Sequence, residues 1–273
     1  MSTTVDQAFI TQFESDVHLA FQRMGSKLLN TVRKKDNVTG STVRFPKLGK
    51  GTATSKARHA DVVAMDLAHT YVEATMGDWY APEWIDKLDE IKSNIDERMA
   101  YAESAAAAIG RKADEIITDQ LALAANSTVH GSTGLNKAKC YEAFLQFGDN
   151  DVPDDGQRYL AVAPERWTHL LDVSEFSNLD YVGSDAFPYK GGMTAKRWLG
   201  FVVFPFTGLP ITSTTRSNFA WHKRAVGCGV GQDITSEINY VPTKVSHLVN
   251  SMLSAGAKII DDDGLRELQA TEA

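Results

Sequence analysis

Phe9, Phe13, Val17 and Phe21 recur every four residues, joined by Ile10 and Leu28, so residues 5–35 predict a partly helical arm. The resulting apolar stripe needs a partner surface, in its own chain or in a neighbouring one. Residues 36–76 change character. Residues 43–45 predict a short strand, and Pro46, Gly49 and Gly51 mark turn-rich chain. Residues 52–60 are small and polar, and β-branched chemistry resumes at Val62, Val63, Thr70 and Val72. Together these predict a two-stranded excursion with a basic tip. So long a stretch, poor in apolar residues, has little core of its own and usually docks elsewhere.

Residues 78–126 carry the strongest helical pattern. Pro82 suits a first helical turn, and nothing from there to Gly110 breaks a helix. Ser93 followed by Asp96 is a weak capping pattern that divides a short lead helix from a longer one. Ile95, Met99, Ala102, Ala106, Ile109, Ala113 and Ile116 then step by four and three along one face. A helix of roughly 30 residues would span about 45 Å. Coiled coils sustain larger aliphatic side chains at both seam positions, whereas this stripe is mostly alanine. The expectation is a helix packed along a sheet or loop of its own fold.

From residue 136 the pattern turns to α/β. Residues 141–147 predict a helix, 149–156 an acidic turn, 158–163 a strand, and Pro164 opens a helix with Trp167, Leu170 and Leu171 on one face. Residues 178–192 read as loop. Residues 197–204 and 219–231 read as single strands, 234–241 and 244–253 as two more split by Pro242, and 257–260 as a last short strand. Residues 261–273 read as a polar tail.

Charge adds a polarity to this order. The net charge of -7 over 273 residues argues against a coat that neutralises phosphates along its length. Between Arg23 and Arg58 there are ten basic residues against the single acid Asp36. Between Asp78 and Glu103 there are eight acids against Lys87, Lys92 and Arg98. The chain is dipolar. Contact between the basic stretch of one copy and the acidic helix of another explains both halves, because complementary charge fixes register between partners. The candidate contact residues are Arg44, Lys47, Lys50, Lys56 and Arg58 on one side, and Asp89, Glu90, Asp96 and Glu97 on the other. Phe45 is the only aromatic from residue 23 to 58, so base stacking is poorly supported.

Catalytic templates fail on particular residues. Gly49-Lys50 is followed by Gly51, and Arg44 stands where a phosphate-binding loop needs its first glycine. Gln232 stands where the dinucleotide fingerprint begun by Gly227 and Gly229 needs its third. Asp261-Asp262-Asp263-Gly264 has Ile259 where a calcium loop needs an acid, so it reads as a solvated turn. The seven histidines include no pair at metal-binding helical spacing. Cys140 and Cys228 match no zinc or redox spacing and read as buried thiols. No catalytic residue, cofactor or metal is expected, and the chain is read as no enzyme. No apolar run is long enough to span a membrane, and the first residues do not read as a secretory signal.

The order of parts now resembles a known family. It rests on Val43-Arg44-Phe45-Pro46 before the glycine tip, Asp96-Glu97-Arg98 opening the long helix, and Tyr159-Leu-Ala-Val-Ala-Pro-Glu-Arg-Trp167. Gly191-Gly192 through Trp198-Leu-Gly-Phe201, Phe219-Ala-Trp-His-Lys223 and Gly256-Ala-Lys-Ile-Ile-Asp261 follow in the same order. Over nearly its whole length the chain resembles the major capsid proteins of tailed bacteriophages, with the Hong Kong 97-type α+β fold.

The resemblance implies an N-terminal arm (1–36), an extended β-hairpin loop (37–80) and a peripheral domain with a spine helix (81–135 and 237–273). An α/β axial domain (136–236) completes it. It further implies hexamers and pentamers of one chain forming an icosahedral head around double-stranded DNA, held by weak non-specific contact. A portal, a separate scaffolding protein and optionally a decoration protein are implied partners, with no membrane. A separate scaffold is expected because only about 35 residues precede the loop. Assembly is placed in the host bacterial cytoplasm and the final location in the virion. Some relatives join a loop lysine covalently to asparagine; Lys47, Lys50 and Lys56 match by position only, and crosslinks are not expected. The alternative within the same fold is an encapsulin-type nanocompartment shell.

Overall fold

The computed structural model describes residues 22–88, 97–177 and 193–271. The expected arm stripe at 9–21, the capping pattern at 93–96 and the loop at 178–192 lie outside the described residues. In chain order the strands are β1 (Arg33–Lys35), β2 (Thr42–Leu48), β3 (His69–Thr75), β4 (Gly77–Asp86), β5 (Ser127–Thr128), β6 (Arg158–Val162) and β7 (Lys196–Trp198). They continue with β8 (Phe201–Pro205), β9 (Ile211–Thr212), β10 (Thr215–His222), β11 (Val226–Val241), β12 (Ser246–Ile259) and β13 (Leu265–Thr271). The helices are Glu97–Leu121, Lys137–Asp149, Pro164–Leu171 and Ser174–Ser177.

The described residues fall into two compact units. The larger holds Ser26–Asp78, Lys112–Asp233 and 254–271. Its main sheet runs β5-β13-β10-β6-β8-β7, with β9 paired to β10. β6 and β8 are parallel, and β10 is antiparallel to both β6 and β13. β6 is buried along most of its length, so its sequence is nearly continuously apolar, as a central strand requires. Ala163 leaves it in extended conformation, and Pro164 takes the first helical position, where a missing N–H costs nothing. The helices Lys137–Asp149 and Pro164–Leu171 bury Phe147, Trp167 and Leu170 with Leu160, Val203 and Leu268 of the sheet. Asn218, fully buried, accepts from the Ala163 N–H (3.0 Å) and donates to the Leu268 carbonyl (3.1 Å), so one amide ties three neighbouring segments. On the far side of β10, the Trp221 indole N–H donates to the Thr31 carbonyl at 3.0 Å.

The smaller unit holds residues 22–25, the described part of Trp79–Arg111, and Ile234–Leu253. β11 and β12 meet here through a turn at 242–245, and Ser236 and Ser251 join their hydroxyls across the pair at 2.6 Å. Lys244 lies 3.9 Å from the centre of the Trp84 ring. Gly110 packs so closely on Gly25 that a Cβ there would fall 2.6 Å from the Gly25 carbonyl carbon.

Several expectations change on the structure. Pro82 sits in β4, not in a first helical turn; β4 is an edge strand, where a proline's missing N–H can face the open side. The long helix covers 25 residues, about 37 Å. Ile109 and Ala113 are buried as the stripe predicts, but Met99 is exposed and the buried line continues through Asp114, Ile117 and Leu121. Residues 197–204 form a hairpin, not one strand: Leu199 and Gly200 both take positive φ and reverse the chain between β7 and β8. Residues 219–231 likewise divide, with a turn after His222 separating β10 from β11. The short strand at 257–260 is the end of β12. The polar tail is β13, whose Leu265, Leu268 and Ala270 are buried every two or three residues.

β12 also shows why Gly256 is a glycine. A Cβ there would lie 2.1 Å from the Thr75 carbonyl oxygen, a backbone atom that cannot turn aside. Gly256→Ala is expected to lower the unfolding free energy by about 1–3 kcal/mol, the usual range for overpacking. Urea titration of the purified subunit measures it, and an unchanged midpoint would contradict the close approach.

Candidate assembly surface

The two-stranded excursion is a seven-pair antiparallel ribbon, from Thr42 opposite Thr75 to Leu48 opposite His69. The expected strand at 43–45 is therefore longer and runs through Pro46. One face of the root is buried. Val43, Phe45 and Ala74 cluster with Ile260, and Val38 and Met76 close the edge. Gly227 and Gly229 make room for this: a Cβ would meet the Phe45 ring at 2.8 Å and the Val43 side chain at 2.6 Å. Gly227 and Gly229 are thus the seat of the ribbon.

Beyond the root the chain gains almost no burial. Every residue from 50 to 66 is exposed, including Val62 at 77% and Val63 at 67%. That is the reverse of what an apolar side chain achieves when it has a core to enter.

The basic candidates divide into two groups. Arg44 pairs with Glu73 across the ribbon, and its guanidinium lies 4.6 Å from the Tyr71 ring centre. The Glu73 carboxylate beside it raises the Arg44 pKa. Lys47 reaches Asp261 at 3.0 Å, and the Lys50 ammonium donates to the Asn150 carbonyl at 3.4 Å. These three contact their own unit. Among the described residues Lys56 bonds locally, to the Ala60 carbonyl at 2.9 Å, and Arg58 is exposed. Of the acidic candidates, Glu97 opens the long helix, while Asp89, Glu90 and Asp96 lie outside the described residues.

The acidic turns that hold Lys47 and Lys50 were missed as partners. Their signal was present in the sequence, as the aspartates at 149–155 and 261–263. Asp261 caps a short 3-10 turn, Asp262–Gly264, by accepting from the Asp263 N–H. Among the described residues no group of three metal-ligating side chains converges. Both thiols are buried and free, and burial pushes Cys140 and Cys228 up to about 12. No described helix is long and apolar enough to cross a membrane.

Comparison with known proteins fits this geometry. A family described as phage capsid protein matches residues 5–272. Comparison with curated proteins returns no match. Among solved structures, the capsid of cyanophage P-SCSP1u is similar with a TM-score of 0.79 at 18% identity, covering 100% of this chain and 96% of that one. A chain from Mycobacterium phage Che8 gives 0.74 at 19% identity, over 95% and 97% of the two chains. The mature capsid of bacteriophage PhiM1 gives 0.73 at 13% identity, over 97% and 92%. These likenesses show the Hong Kong 97-type α+β fold, and the nanocompartment alternative is not favoured.

Proposed function

This chain belongs to the phage capsid protein family, as a major capsid protein forming the phage head, and from that premise we propose how its copies hold together. The extended loop lies over a neighbouring copy in hexamers and pentamers, with Lys56 and Arg58 meeting acidic surface there. The Asp89, Glu90, Asp96 and Glu97 stretch is the partner its charge suits. One observation carries the reading: a ribbon rooted in its own core ends in residues 50–66 that their own unit leaves bare. An unsupported segment of that length is ordered most economically by a sister subunit.

In this reading the smaller unit belongs to the peripheral domain and the main sheet of the larger one to the axial domain. The chain acts as a structural subunit and not an enzyme. It assembles in the host cytoplasm with a separate scaffolding protein and a portal, optionally with a decoration protein, and touches packaged DNA weakly and without sequence preference.

The test follows from the division of the lysines. Lys56→Glu with Arg58→Glu reverses charge where, among the described residues, only one exposed bond is lost. The double variant is expected to keep the wild-type circular dichroism spectrum and melting temperature while particle yield in electron micrographs collapses. Normal heads from it would refute the reading. Lys47→Glu is a poorer probe, because it also breaks the contact with Asp261.

A further inference from the structure

The main sheet has two faces, and only one is sealed. Leu160 and Val203 are buried with the helices, whereas Tyr159, Val202 and Phe204 alternate with them and take the opposite side. On that side the strap of residues 26–31 covers the fully buried Trp221, whose ring lies 6.1 Å from those of Tyr159 and Phe204. Beyond the strap the face is open as a groove of about 450 Å³, floored by Tyr159, Val202, Phe204 and Pro205, with Met193 also lining it. The four floor residues are only half-buried, and Met193 is exposed.

Chemistry selects the occupant. Lys27 is the one charged residue among those lining the groove. Residues 1–21, outside the described residues, hold Asp6, Glu14 and Asp16 and no lysine or arginine. Their sequence also carries the apolar stripe Phe9, Phe13, Val17 and Phe21, which calls for a partner surface, with Glu14 and Asp16 beside it. An amphipathic, purely acidic segment suits an apolar groove with a basic edge. The same copy's arm is committed elsewhere. Arg111 donates to the Gln22 side-chain oxygen at 2.8 Å and Gly110 packs on Gly25, so the chain ahead of the strap runs onto the long helix.

We propose that the groove between the strap and β8 receives the N-terminal arm of a second copy. Phe13 and Val17 lie on Tyr159, Val202 and Phe204, and the acids beside the stripe face Lys27. Arm and groove are different surfaces of one chain, so each copy gives one and receives one. A heterologous contact of this kind closes into rings when the rotation permits. This contact rests on the shell reading above and is independent of where the extended loop lands.

The experiment uses particles made by expressing the phage's head genes with variants of the full chain. In particles of Val17→Cys with Met193→Cys, a short bismaleimide is expected to give covalent multimers on denaturing gels. Each single variant stays monomeric, because Cys140 and Cys228 are buried. Particles that form but give no multimers, or a link confined within one chain, would overturn the landing site. Where the cysteine pair hinders assembly, Met193→Cys alone gives the second measurement. Met193 is 51% exposed, so its replacement thiol reacts readily with a maleimide in the free subunit. In particles the reaction is expected to slow at least about tenfold, equivalent to about 1.4 kcal/mol of cover, and Phe13→Ala restores the rate. Equal rates in subunits and particles would overturn the contact, as would protection that Phe13→Ala leaves intact. Absence of particles from the unmodified chain would instead count against the shell reading itself.

Discussion

Lys139→Met is expected to lower the stability of the folded subunit by about 3–5 kcal/mol, because several backbone carbonyls lose their donor and each buried group left unpaired costs about 1–3 kcal/mol. Lys139 is 5% exposed, and its ammonium shares its three N–H groups among four backbone carbonyls: those of His130, Thr133, Gly134 and Gln269, all at 2.8–2.9 Å. Burial lowers its pKa, and the negative charge of Glu142 pulls the other way. One side chain thus gathers the loop before its own helix and fixes it to β13. Methionine keeps much of the stem and removes every donor, leaving the carbonyls to find water or stay unpaired. The loop has little freedom to rearrange, because a Cβ on Gly134 would already lie 2.0 Å from the His169 ring. Thermal melting of the subunit reads the loss directly. A variant melting within a degree or two of wild type would show that the four bonds contribute little.

Lys139 also shows where sequence reading stops. A lysine in an amphipathic helix reads as solvated face, and nothing in its neighbours announces four carbonyls converging from residues 130–134 and 269. Local chemistry was far more legible. Pro164 opening a helix, Trp167 and Leu170 turned to the core, and two buried thiols all follow from spacing and residue type. Turns that need positive φ were harder: Leu199-Gly200 reverses the chain with a leucine in the left-handed region, a conformation its residue type does not signal. β13 was lost for a related reason. Its half-buried positions are charged or polar, and pairing with β10 over seven residues and with β5 on its other side makes it a strand.

The candidate surface was half legible. The basic loop is plain in the charge pattern, but which of its cations are spent within the subunit depends on tertiary contacts with the turns at 149–155 and 261–263. The glycines of β11 were visible as glycines, and their purpose was not. Gly227 and Gly229 matter because Phe45 and Val43, some 180 residues away in sequence, lie against them. Long-range apposition of this sort leaves no local periodicity to read.

Asp114 joins the two lessons in one residue, and Asp114→Ala should be the other strongly destabilising change. It is fully buried in the long helix, where the 3.6-residue pattern had no place for a carboxylate. It accepts from the Ser26 hydroxyl at 2.5 Å and from the backbone N–H groups of Lys27 at 3.0 Å and Leu28 at 2.9 Å. Those donors start a strap that buries Leu28, Leu29 and Val32 and places the Thr31 carbonyl under Trp221. Hydrogen bonds to a buried charge contribute about 1.5–3 kcal/mol each, so losing the set is expected to cost about 3–5 kcal/mol after relaxation. Asp114→Asn keeps one accepting oxygen and should lose less, about 1–2 kcal/mol. The strap itself supplies a second readout: trypsin should cut the alanine variant after Lys27 or Arg33 under conditions that leave the wild-type subunit intact there. Loss of the anchor should then reduce head formation even below the melting temperature, because the chain leading to the arm is no longer held. An alanine variant that melts with the wild type and keeps Lys27 protected would mean the strap is held by its apolar contacts alone.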